Sequence, residues 1–112
     1  MILHNDAVDA ILTRRSIRSY QAKQISEDAL ETILTAGQYA PSGMNQQSAK
    51  AIVVQSKERM QQLVQLAKAA EQVDHNPFYD APTVILVFAD ATQLAPIEDG
   101  CNVLENMMLA AH

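Results

Sequence analysis

The unbroken apolar run Thr83-Val84-Ile85-Leu86-Val87-Phe88 limits this chain's fold more than any other stretch. A run of that length, rich in β-branched residues, predicts a central strand covered on both faces, and so requires other layers above and below it. Ala51-Ile52-Val53-Val54 reads as a second, shorter buried strand for the same reason. The remaining apolar patterns have helical spacing.

Asp6 is expected to cap a first helix with Ala7, Val8, Ile11 and Leu12 on one face, and that helix is expected to run on into Arg14-Arg15-Ser16-Ile17-Arg18. Ser26, with Glu27 and Asp28 behind it, starts a second helix; Ile25 can staple onto Leu30, and Leu30, Ile33 and Leu34 point inward. This helix ends near Gly37 to Tyr39, before Pro41. A third follows Ser56, with Met60, Leu63, Val64, Ala67 and Ala70 on one stripe. The fourth begins near Pro96, which suits a first helical position, and carries Ile97, Cys101, Leu104, Met107, Met108 and Ala111. Cys101 on that apolar face is expected to be a buried small hydrophobe rather than a nucleophile. The apolar pattern is still running at His112, and two strands are too few for a stable sheet by themselves. Residues 1–112 are therefore expected to be the N-terminal part of a longer protein.

A chain of 112 residues with 48% hydrophobic content can build a packed core. Its net charge of -5 argues against a general nucleic-acid surface, which needs excess Lys and Arg to neutralise phosphates. The lone Cys101 allows no internal disulfide and suits a reducing cytosol. The start Met1-Ile2-Leu3-His4-Asn5-Asp6 lacks the basic and apolar regions of a signal peptide. No stretch approaches the roughly 18 apolar residues of a membrane span. A cytoplasmic protein is expected. His75 with Asp74 and Asp80 matches no dedicated metal-site spacing, and no metal is expected there.

Two stretches could carry chemistry. Arg14, Arg15 and Arg18 concentrate three of the eight basic residues of an acidic chain within five positions, beside Ser16. Guanidinium forks suit the oxygens of a small anion such as phosphate; the alternative is a basic helix terminus stabilising its own dipole. The loop Ala40-Pro41-Ser42-Gly43-Met44-Asn45-Gln46-Gln47 joins a helical pattern to a strand pattern. Gly43 allows close backbone approach, and Asn45 and Gln47 can each donate and accept through one planar amide. A flat polar ligand would suit this loop, as would a plain surface turn.

These stretches, with Asn76-Pro77-Phe78-Tyr79-Asp80-Ala81-Pro82-Thr83-Val84-Ile85-Leu86-Val87 and the Leu-Glu-Asn-Met-Met-Leu-Ala-Ala run that closes residues 99 to 111, resemble the FMN-dependent nitroreductase family in order and spacing. The resemblance implies an α+β fold with a central mixed sheet flanked by helices, truncated here after a long interface helix, within a single flavin-binding domain. It implies a homodimer with FMN at the subunit interface. Arg14, Arg15, Ser16 and Arg18 would contact the phosphate, ribityl chain and pyrimidine edge, with Arg18 beside the reduced ring. Ser42, Gly43, Asn45 and Gln47 would approach the flavin from the partner subunit, and Asn76 would add a polar contact.

The implied reaction passes hydride from NAD(P)H through the flavin to a nitroaromatic or quinone acceptor in ping-pong fashion. The flavin carries the chemistry, so no catalytic side chain is assigned. Alternatives are a flavin- or phosphate-binding module without turnover and a structural dimerisation piece. Many family members have a Trp and a second aromatic shortly after the loop, where this chain has Ser48-Ala49-Lys50-Ala51. The 112 residues alone are expected to bind FMN weakly or not at all.

Overall fold

Four helices and two strands follow one another as α1 (Asp6–Thr13), α2 (Glu27–Gln38), β1 (Ala49–Val54), α3 (Lys57–Glu71), β2 (Val84–Ala89) and α4 (Pro96–Ala111), in a computed structural model that describes all 112 residues. A short 3-10 turn, Gly43–Asn45, lies between α2 and β1. The chain divides into two units: Met1–Ser16, Ser26–Ala51 and Val87–His112 form one, Ile17–Ile25 and Ile52–Leu86 the other.

In the first unit, α1 is capped by Asn5 rather than Asp6: Asn5 Oδ1 accepts from Val8 N at 2.9 Å. Asn and Asp cap equally well, so adjacent residues of the two types cannot be ranked by sequence, and Asp6 becomes the first helical residue, facing the positive end of the dipole. The helix also stops sooner than its pattern suggested. Arg14 is already extended at ψ 141°, so Arg14 and Arg18 share no helical face. The Arg15 guanidinium donates to Leu12 O at 3.2 Å and Arg14 O at 2.9 Å, serving carbonyls that a helix end leaves unpaired. Ile11 and Leu12, on the apolar face of α1, are exposed, because no element of this chain covers them.

Helix α2 is capped by Ser26, whose Oγ accepts from Ala29 N at 3.1 Å, and its Leu30, Ile33 and Leu34 are half-buried against α4. Gly37 and Met107 are buried in this unit. The α4 register corrects the sequence expectation. Its inward face carries Asp99, Gly100, Val103, Asn106 and Met107, while Ile97, Cys101, Leu104 and Met108 point outward. Cys101 is therefore exposed, not buried. The cause is polar: Asn106 Nδ2 donates to Ala36 O at 2.9 Å and Asp99 accepts two hydrogen bonds, so α4 turns its amide and carboxylate toward the chain's own backbone.

The strands pair as a two-stranded sheet. Ser48 O accepts from Asp90 N at 3.0 Å and Gln55 Nε2 donates to Thr83 Oγ1 at 3.0 Å, an antiparallel register. β2 begins one residue later than its apolar run, and only Val84 of it is buried. Phe88 and Ile52 are more than half exposed, so the run is not covered on both faces within this chain.

In the second unit, Ser56 caps α3 by accepting from Arg59 N at 3.1 Å. Met60, Leu63, Val64 and Ala67 are half-buried as their spacing predicts, whereas Ala70, in the last turn of the same stripe, is exposed; the helix closes on left-handed Gln72 at φ 56°. Gln24 joins Pro82 and Thr83 by side-chain hydrogen bonds.

Candidate functional site

The loop after α2 is shaped by its hydrogen bonds. Asn45 N donates to Ser42 O at 3.0 Å and Gln46 N to Gly43 O at 3.1 Å, closing the 3-10 turn. Gln47 N donates to Ser42 Oγ at 3.0 Å, and the Gln47 amide reaches Asn45 Oδ1 at 3.4 Å. Met44, Asn45 and Gln47 all lie in the left-handed region, at φ 51°, 53° and 52°. Asn tolerates that region; Met and Gln are strained there by roughly 1–2 kcal/mol each, so surrounding contacts must hold the shape.

Those contacts come from α4 and the turn before it. Asp99, 2% exposed, accepts from Gly43 N on Oδ1 at 2.9 Å and from Ser48 Oγ on Oδ2 at 2.7 Å. Leu94 N donates to Gln46 Oε1 at 2.8 Å, and Asn102 Nδ2 donates to Pro41 O at 3.4 Å. The expected close approach at Gly43 is thus made to the chain itself: a Cβ there would lie 3.2 Å from Ala95 Cβ. The turn leading to Leu94 is fixed by Asp90, which accepts from Thr92 Oγ1 at 2.7 Å and Thr92 N at 2.9 Å. Those bonds, the hydroxyl's first, hold its carboxyl below the ordinary 3.8.

Ser42, Asn45 and Gln47 come together on one open cleft of about 700 Å³, with Tyr39 and Lys50 also on its wall. All of it lies within the first unit. Hydroxyl, two amides, an ammonium and a phenol offer donors and acceptors to a planar, partly anionic ligand. Gly43 shapes the backbone but does not line the cleft.

Arg14, Arg15 and Ser16 do not line it either. Arg14 Nε stands 4.0 Å from Glu105 Oε1, a loose surface pair, and Arg15 is turned onto the end of α1, which realises the helix-terminus reading for that residue. Arg18 and Asn76 belong to the second unit. Arg18 is exposed. Asn76 Nδ2 donates to Asp80 Oδ1 and its Oδ1 accepts from Phe78 N, both at 2.9 Å, so both ends of the amide serve its own turn. That turn includes left-handed Tyr79 and Asp80.

Sequence reasoning missed the parts played by Asp99 and Ser48. Asp99 reads as an acidic residue in the first turn of a helix, a sufficient role in itself, and Ser48 as a small polar residue before a strand. The signal was the position of Asp99 on the α4 face shared with Asn102 and Asn106, which the apolar stripe concealed. No group of three or more His, Cys, Asp and Glu side chains comes together, and no helix is long and apolar enough to cross a membrane.

The sequence model of the Nitroreductase family matches residues 11–112. A curated relative from Methanothermobacter thermautotrophicus is 32% identical over 111 residues, which are 96% of this chain and 56% of that protein. An FMN reductase [NAD(P)H] from Bacillus subtilis is 35% identical over 75 residues, 67% of this chain and 30% of that protein. Among solved structures, a nitroreductase with bound FMN from Bacteroides fragilis superposes with a TM-score of 0.89 at 32% identity, covering 96% of this chain and 65% of that one. The chain spans from about a third to somewhat over half the length of these two curated relatives.

Proposed function

The chain belongs to the Nitroreductase family, and from that premise we propose that it forms part of a single, larger flavin-binding domain of an FMN-dependent oxidoreductase. In this reading the intact protein is a cytoplasmic homodimer that takes hydride from NAD(P)H and delivers it to nitroaromatic or quinone acceptors in alternating half-reactions. The bound structures among its relatives and the FMN reductase named above support the cofactor.

The observation that carries the reading is the strapped loop that presents Ser42, Asn45 and Gln47 to one cleft. The donor set fits the group. An isoalloxazine edge alternates donors and acceptors, which amides match, while the hydroxyl and the Lys50 ammonium suit ribityl and phosphate oxygens. FMN, when bound, supplies the two-electron chemistry between nicotinamide and acceptor. The chain's own residues hold and orient it: Ser42, Asn45 and Gln47 from the loop, with Gly43 setting the backbone, and Arg14, Arg15, Ser16 and Arg18 toward the phosphate and pyrimidine edge. Arg18 would favour an anionic reduced ring. Asn76 can join only if it leaves its bond to Asp80.

Two sets of groups agree with a subunit interface. Arg14 and Arg15 do not line the cleft that the loop lines, which suits a flavin that takes its arginines from one subunit and its loop from the other. The outward apolar stripe Ile97, Leu104 and Met108 of α4 is a surface a second copy would cover. Turnover tests the activity: the intact protein with FMN should oxidise NADH or NADPH in step with an added quinone or nitro compound. Tight FMN binding without acceptor-dependent oxidation would instead favour a binding module.

A further inference from the structure

We propose that Asp99 is a positioning residue for the flavin-facing loop: its carboxylate brackets residues 43 and 48 and holds the strained backbone between them in the shape that presents Asn45 and Gln47. This rests on the reading of the loop as a flavin contact.

The geometry is specific. A carboxylate accepts and never donates when ionised, and both acceptors of Asp99 are used on the loop's two flanks, Gly43 N at 2.9 Å and Ser48 Oγ at 2.7 Å. The residue is 2% exposed and Ser48 6%, so the bracket works away from water, where a charge-assisted hydrogen bond is strong and a missing partner is costly. Between the flanks lie Met44, Asn45 and Gln47 at positive φ, a conformation that relaxes unless its ends are fixed. The Ser42 Oγ and Gln46 Oε1 bonds stiffen the turn internally and toward Leu94. Only Asp99 ties the start of the turn to the start of β1 through one group.

The bracket also accounts for the small residues after the loop. Ala49 and Ala51 offer little side chain to support it from the strand. Buried Ser48, hydrogen-bonded to Asp99 and paired through its carbonyl with Asp90 N, supplies that support by polar contacts. Asn106 makes a useful contrast, since it ties α4 to Ala36 O of α2 without touching the loop.

The experiment compares Asp99→Ala, Asp99→Asn, Ser48→Ala and Asn106→Ala in the intact protein. It reads thermal stability, amide hydrogen exchange at Gly43 without flavin, and FMN affinity by flavin fluorescence. Asp99→Ala should speed Gly43 exchange and weaken FMN binding by about tenfold or more each. Asp99→Asn should recover most of both, because its amide oxygen still accepts from Gly43 and the Ser48 hydroxyl can turn to accept from its NH2. Asn106→Ala should lower stability without moving either readout. If Asp99→Ala loses stability alone, with Gly43 exchange and FMN affinity tracking Asn106→Ala, the positioning role is overturned. Should Asp99→Ala fail to fold, Ser48→Ala decides: a several-fold loss of FMN affinity in a folded protein supports the role, and unchanged affinity overturns it. Failure of the wild type to bind FMN defeats the flavin reading instead, and Gly43 exchange then still tells whether Asp99 holds the loop.

Discussion

Gly37 of α2 and Met107 of α4 are packed so closely that a Cβ at position 37 would lie 2.9 Å from Met107 Cγ and 3.1 Å from its Sδ, with Val103 Cγ1 at 3.3 Å. Gly37 has no positive φ, so its role is to leave room for the neighbouring helix rather than to permit an unusual backbone.

Gly37→Ala should therefore destabilise the protein by about 1–2 kcal/mol, the overpacking cost exceeding the helix-propensity gain of up to about 1 kcal/mol. The two residues should also couple: in urea unfolding, the loss in Gly37→Ala/Met107→Ala should fall short of the summed single losses by about 1 kcal/mol. Simple additivity would show that Met107 moves aside freely.

The outward stripe of α4 bears on assembly. Leu104→Glu puts a charge where a second copy would bury an apolar side chain worth roughly 1.5–3 kcal/mol. If the intact protein is a homodimer, as proposed, light scattering after size exclusion should show it shifted toward monomer, with helix content retained. An unchanged dimer would place the interface elsewhere.

Asp90 gives a pH dependence whose sign is fixed. Its carboxyl is held below the ordinary 3.8 by the Thr92 hydroxyl and N–H, so the native state favours the ionised form. That contribution is fully present above the ordinary value and is lost as pH falls through the lowered native one. The stability gap between wild type and Asp90→Asn should thus be constant near neutrality and close in acid. A gap that persists at pH well below 3.8 would refute the assignment.

Much of this was legible in the residues. The starts of α2, α3 and α4 follow from Ser26, Ser56 and Pro96, because capping is a local event between neighbours in sequence. The α4 face was not legible. Its apolar stripe looked like core, yet Asp99, Asn102 and Asn106 satisfy backbone groups 50 to 70 positions away in sequence, and such pairings have no local signature. The same holds for the arginine cluster. Periodicity ran α1 through it, but Arg15 folds back on the carbonyls of Leu12 and Arg14 and the backbone turns extended at Arg14. The loop itself was recognisable from Pro41, Ser42, Gly43 and Asn45, whereas what holds it was hidden in Asp99 and Ser48.

Equilibrium titration of the intact protein with FMN decides whether this loop and the arginine cluster hold a flavin, as proposed. Arg14→Ala removes a loose pair between a half-buried Arg14 and an exposed Glu105 at 4.0 Å, so stability should change by no more than about 1 kcal/mol. If each side chain meets the flavin as proposed, FMN affinity should nevertheless fall by about tenfold or more in Arg14→Ala and in Asn45→Ala. Wild-type protein that takes up no FMN, or variants that bind it as tightly as wild type, would rule out a flavin site built from these residues.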